Sequence, residues 1–205
     1  TWARYNSTTG KLIQAGAWAE DDGGDVTAGG DIDMQTYDVN NSGNLLEQGL
    51  HTISMPAGGM TTRTTNGAEA HSEELATYDK MLVGFDFDAA TEEAVQFDVP
   101  MPKSWNLGTV TAILYWKHPS TTTNFDVVWG VSAVAVGNDD ALDADFGTEI
   151  TVTDTGGTTD DLYITAATSA ITIAGTPAAG DLVTFQVARV AANGSDTLAV
   201  DATLV

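Results

Sequence analysis

From Lys80 to Val205, apolar residues recur with a period of two or in short continuous runs, and no helical period persists long enough to interrupt them. Met81, Val83, Phe85 and Phe87 fall on one face of an extended segment, with Asp86 and Asp88 on the other. Val95, Phe97 and Val99 alternate with Gln96 and Asp98 until Pro100 and Pro102 end the run. The segments Val110 to Trp116 and Val127 to Val136 are apolar on both faces, as central strands covered on each side would be. Shorter runs at 150–152, 162–164, 171–173, 183–187 and 198–204 complete the series. Asn193-Gly194-Ser195-Asp196 predicts a tight hairpin turn, because Asn-Gly accepts positive φ. Roughly eight to ten strands joined by Gly, Thr and Asp loops predict an all-β fold. The expected form is an antiparallel β-sandwich of the jelly-roll kind, with an immunoglobulin-like sandwich as the alternative.

The first fifty residues have a different texture. Gly, Asp and Asn are frequent there and large apolar residues sparse, so the segment predicts an N-terminal arm or added strands rather than a second core. Thr1 to Tyr5 and Lys11 to Trp18 predict a hairpin about Asn6-Ser7-Thr8-Thr9-Gly10; a further strand is expected near Ile32 to Val39 and a helical turn at Leu45 to Leu50. The division is therefore 1–50, an arm or attachment region, and 51–205, the sandwich. Thr1-Trp2-Ala3-Arg4-Tyr5 lacks a basic-then-apolar signal pattern, and without an initiator Met the chain reads as processed or starting later in its gene. Leu204-Val205 reads as mid-strand.

Charge narrows the function classes. Twenty-nine acidic residues against seven basic give a net charge of −22, which repels both nucleic-acid phosphates and anionic membrane surfaces. The chain has no cysteine, so disulfides and thiolate metal sites are excluded. The three histidines, His51, His71 and His118, are far apart in sequence, and none sits in a pair with metal-ligand spacing. No Gly-x-Ser-x-Gly elbow appears, and the acidic pairs Glu73-Glu74, Glu92-Glu93 and Asp160-Asp161 would point to opposite faces of a strand. No catalytic residue is assigned, and the expectation is a non-enzymatic protein. For a metal, calcium is the candidate: Asp21, Asp22 and Asp25 share one Gly-rich loop, and Asp139 and Asp140, with Asp143 and Asp145, share a second loop, although neither has EF-hand spacing. For a glycan, Arg63, Thr64, Thr65 and Asn66 supply hydrogen-bonding groups, and Trp105, in a Pro-Lys-Ser-Trp-Asn loop, supplies a stacking ring. Trp116 and Trp129 lie within strands and are expected in the core.

Several segments together carry a resemblance. They are Met55 to Ala68, Leu82 to Asp88, Met101-Pro102-Lys103-Ser104-Trp105-Asn106, Thr121-Thr122-Thr123-Asn124-Phe125 and Asp154 to Asp161. As a set spanning roughly residues 51–205, they make the chain similar to structural proteins of tailed bacteriophages and prophages. The resemblance implies a component on the outer surface of a virion, such as capsid decoration or cement, or a head fibre, with possible roles in host attachment. It further implies β-sandwich domains that assemble as homotrimers, a variable N-terminal region that contacts the major capsid protein or other virion proteins, and relatives that continue past Val205 with another strand. It brings no catalytic residues. The alternative expectation is a carbohydrate-binding β-sandwich module or a tail-fibre receptor-binding tip that recognises a host surface glycan.

Overall fold

The computed structural model describes residues 51–205 except Ser104 and Asn106, together with four short strands of the N-terminal region. The chain divides into two compact units, Thr1–Leu46 and Glu47–Val205. In the first, β1 (Ala3–Asn6) pairs antiparallel with β2 (Lys11–Gln14), as the Asn6 to Gly10 turn cluster predicts. A second hairpin joins β3 (Trp18–Glu20) to β4 (Val26–Ala28). The strand expected near Ile32 to Val39 and the turn at Leu45 to Leu50 lie outside the described residues.

The second unit is a β-sandwich. After a 3-10 turn at Ala57–Gly59 come β5 (Thr61–Thr62), β6 (Glu69–Leu75), β7 (Lys80–Phe87), β8 (Glu93–Pro100), β9 (Tyr115–Lys117) and β10 (Phe125–Val136). They are followed by β11 (Ile150–Gly156), β12 (Tyr163–Ile164), β13 (Ile173–Ala174), β14 (Leu182–Arg189) and β15 (Ala202–Leu204). One sheet has the order β11-β10-β14-β8-β5, with β13 parallel to the end of β10, and the other has the order β12-β9-β15-β7-β6. From β7 onward the chain passes to the opposite sheet at every connection except the β10–β11 hairpin and the link from β13 to β14. The resulting facing orders, β12-β9-β15-β7 and β11-β10-β14-β8, are those of a jelly roll, with β6 and β5 added at the edges. An immunoglobulin-like sandwich keeps its A–B, D–E and F–G connections within one sheet, which this alternation does not do.

The inner faces meet through the alternating residues. Val95, Val127, Trp129, Val131, Val183 and Val187 from one sheet pack against Phe85, Phe87, Trp116, Ala202 and Leu204 from the other. The Trp129 ring lies edge-on to Phe87 at 5.1 Å and to Trp116 at 6.3 Å, so three aromatic rings join the sheets. Met81 and Val83 share the parity of Phe85 and Phe87 but are about half exposed (53% and 51%), because the β6–β7 hairpin runs past the end of the core.

Two local expectations are corrected. Residues 110–114 are not a regular strand. Val110 forms a single bridge to Ile171, Leu114 and Ala112 accept from the backbones of Thr165 and Thr168, and the same two threonine hydroxyls accept from Leu114 N and Ala112 N at 3.0 Å. Three residues of 165–171 thus advance for every two of 110–114, a bulged pairing in which hydroxyls replace missing carbonyls. Asn193-Gly194 is not a positive-φ hairpin either: Asn193 accepts from Asp196 N at 2.9 Å and its side chain accepts from Ser195 N at 3.0 Å. The reason is topological, since β14 and β15 belong to different sheets and the link has to cross the sandwich.

Candidate interaction surface

The two outer faces differ. On the first sheet, the outward residues Ala94, Val128, Gly130, Ser132, Val134 and Ala188 are buried, covered by the molecule's own loops, while Asp98 and the β11 residues Thr151, Thr153 and Thr155 are exposed. The Glu149 carboxyl occupies the space that a Cβ on Gly130 would need, Gly147 donates to Ala133 O at 3.0 Å, and Gly67 bridges Ala94. Burial beside Glu92 pushes the Glu149 carboxyl above its usual pKa, against the pull of Arg63.

The second sheet is open outward. Directly opposed residues on neighbouring strands share a face, so the registers define rows across the sheet. One row runs Glu69, Asp86, Thr203, Lys117, and Asp201 lies two residues before Thr203 on the same face. The next row pairs His71 with Gly84 on one side and Tyr115 with Ile164 on the other. Gly84 is required there, because a Cβ would collide with the Leu204 carbonyl. The β6–β7 half is therefore acidic. The β9–β12 half is apolar, with Tyr115 46%, Ile113 51%, Ile164 52% and Leu162 59% exposed.

A polar network occupies the middle. His71 Nδ1 lies 2.8 Å from Asp86 Oδ2, whose other oxygen accepts from the Thr203 hydroxyl at 2.5 Å. Lys117 donates to Glu73 at 2.7 Å and to Asp160 at 3.0 Å. Burial disfavours the Lys117 ammonium, but these two carboxylates outweigh it and raise the pKa, while Lys117 lowers that of Glu73. A depression of about 140 Å³ opens here, lined by His71, Asp86, Lys117, Pro119, Asp201 and Thr203. Burial, then Asp88 and Asp86, push the Asp201 carboxyl upward.

Beneath this face His118 is fully buried, 4.5 Å from Phe125 and 5.3 Å from Tyr163 between ring centroids, and neither ring nitrogen has a partner in hydrogen-bonding geometry. Burial lowers its pKa; Asp160 and the Ser120 backbone pull the other way without overcoming it. The unfolded chain therefore binds this proton more tightly than the fold. Stability is full above the unfolded value of about 6.5 and falls as pH drops below it, toward the lower folded pKa. The urea midpoint is expected to fall between pH 7.5 and 5.5, and His118→Phe should flatten that part of the profile. An unchanged drop in the variant would exclude His118 as its source.

The residues singled out as possible ligand groups do not converge. Trp105 is partly buried, packs against the core and donates from Nε1 to Gly108 O at 3.2 Å. The Arg63 guanidinium lies over the other sheet, donating to Gln186 at 3.2 Å and to Asn66 O at 3.3 Å, while Thr64, Thr65 and Asn66 are exposed beside it. Asp140 turns back to accept from Gly137 N at 3.0 Å, and Asp139 accepts from Asn138 at 2.8 Å. Asp21, Asp22 and Asp25 lie outside the described residues. Among the described residues no three His, Asp or Glu side chains converge as metal ligands, and none of their helices is long and apolar enough to cross a membrane. Comparison of the chain with protein-family models, curated proteins and solved structures yields no match.

Proposed function

We propose that this chain is a non-enzymatic structural protein of a tailed-bacteriophage particle, displayed on the outside of the capsid as decoration or as part of a head fibre. The observation that carries the reading is a jelly roll that covers the middle of one sheet with its own loops and leaves the other sheet open, half acidic and half apolar. A rigid sandwich with one open face suits attachment and display. The segment similarity described above points the same way, and a net charge of −22 favours the outer side of a shell over its DNA-facing side. In this reading the N-terminal unit contacts the capsid and copies associate as trimers, a common closed arrangement. Quantitative mass spectrometry of gradient-purified particles from the source virus tests it. Many copies per particle are expected for decoration and few for a fibre; absence from purified particles would overturn the proposal. The inward packing of Trp105 gives no stacking platform to support the carbohydrate-binding alternative.

A further inference from the structure

The open sheet also specifies the chemistry of what it meets. Its apolar half exposes Ile113, Tyr115, Leu162 and Ile164 side by side, a contiguous apolar group of the kind that marks a contact site. Its acidic half is left short of cations. Lys117 is held by Glu73 and Asp160, and Arg189 is buried against Asp196. Among the described residues, no cation lies within ion-pair distance of Glu69, Asp88 or Asp201. Between the halves, the depression walled by Asp86 and Asp201 leaves room for one long side chain from outside. A second copy would bring another surface of a chain with net charge −22 against these carboxylates, whereas a basic partner would neutralise them.

We propose that the outer face of the β12-β9-β15-β7-β6 sheet docks a segment of a partner protein that carries lysine or arginine next to aliphatic side chains. The basic side chain enters the depression between Asp86 and Asp201, and the aliphatic ones cover Tyr115, Ile113 and Ile164. The inference goes beyond the virion reading and does not depend on it, since the surface and its chemistry are properties of the chain itself.

The test uses the whole chain and three synthetic eight-residue peptides, alternating Lys-Leu, Glu-Leu and Lys-Ser, at about 150 mM salt, where long-range attraction is screened. Methyl NMR of Ile113, Leu162 and Ile164 reads the site. The Lys-Leu peptide is expected to shift these methyls saturably, the Glu-Leu peptide to leave them unmoved, and the Lys-Ser peptide to bind much more weakly. Glu69→Gln with Asp201→Asn should weaken Lys-Leu binding roughly tenfold, as should Ile164→Ser. Asp143→Asn with Asp145→Asn, which removes the same charge from an exposed loop, should leave it unchanged. Equal losses in the two charge variants would reduce the effect to bulk charge and overturn the proposal. So would shifts confined to other parts of the sandwich. Self-association in the ultracentrifuge that Ile164→Ser abolishes would overturn it too, in favour of a second copy.

Discussion

Arg189→Met is expected to destabilise the sandwich by about 3–5 kcal/mol, the cost of removing one member of a buried ion pair. For a domain of this size that lowers the melting temperature by on the order of 10 °C. Arg189 is fully buried at the inner end of β14, and its side-chain exposure and that of Asp196 are 0% and 1%. The guanidinium meets the Asp196 carboxylate at two points, 3.1 and 2.8 Å, and also donates to Phe87 O, Val200 O and Leu198 O. One side chain therefore satisfies the end of β7 in one sheet and the whole link that carries the chain from β14 to β15 in that sheet. Methionine fills much of the volume but strands a dry carboxylate and takes away the guanidinium donors of three carbonyls. Arg189→Met combined with Asp196→Leu should recover part of the loss by removing the stranded charge, although Val128 N, which Asp196 accepts from at 3.0 Å, then lacks its acceptor. Urea unfolding of both variants measures this. A loss below about 1 kcal/mol in the single variant, the range of a surface ion pair, would show that the guanidinium is not a dry clasp.

Arg189 also marks the limit of what sequence reasoning can reach. In the sequence it is one of three arginines, in line with Val183, Phe185 and Val187 on the inward face of a strand, where a cation is least expected. Period-two alternation identifies that strand and its inward face. It says nothing about the link from the next connection that supplies Asp196 and the carbonyls. The same holds across the open sheet. The alternation in Lys80 to Asp88 places Asp86 outward, but its contacts with His71 and Thr203 depend on a strand order that brings residues 71, 86 and 203 together. Trp116 and Trp129 were legible as core because each lies in a strand-forming run rich in apolar residues. Trp105 sits between two prolines and a glycine with no period to read, and its inward turn is set by the hydrogen bond to Gly108. The bulged pairing of 110–114 was hidden for another reason, because Thr165 and Thr168 act there as acceptors in place of backbone. Composition and period identify strands and faces, and cross-sheet contacts decide the rest.

Trp116→Ala is expected to cost about 3–5 kcal/mol and to act first on the open face. Trp116 is fully buried with Tyr163 at 5.0 Å, His118 at 5.8 Å and Trp129 at 6.3 Å between ring centroids. Its Nε1 donates to Asp154 at 2.8 Å, and Asp154 lies on β11 in the opposite sheet. β9 has only three residues and pairs through just two with β12 and two with β15, so its ladder alone holds it weakly. The indole therefore anchors the strand that presents Tyr115 and Lys117 outward. Trp116→Phe keeps most of the buried ring and loses the hydrogen bond, and should cost about 1 kcal/mol for that bond plus a small packing loss. The two variants separate packing from polar anchoring. In Trp116→Ala, hydrogen exchange is expected to accelerate at Thr165 and Val205, whose amides donate to Leu114 O and Tyr115 O, well before the amides of β14. Uniform acceleration across both sheets would instead show that β9 has no separate anchor and opens only with the whole sandwich.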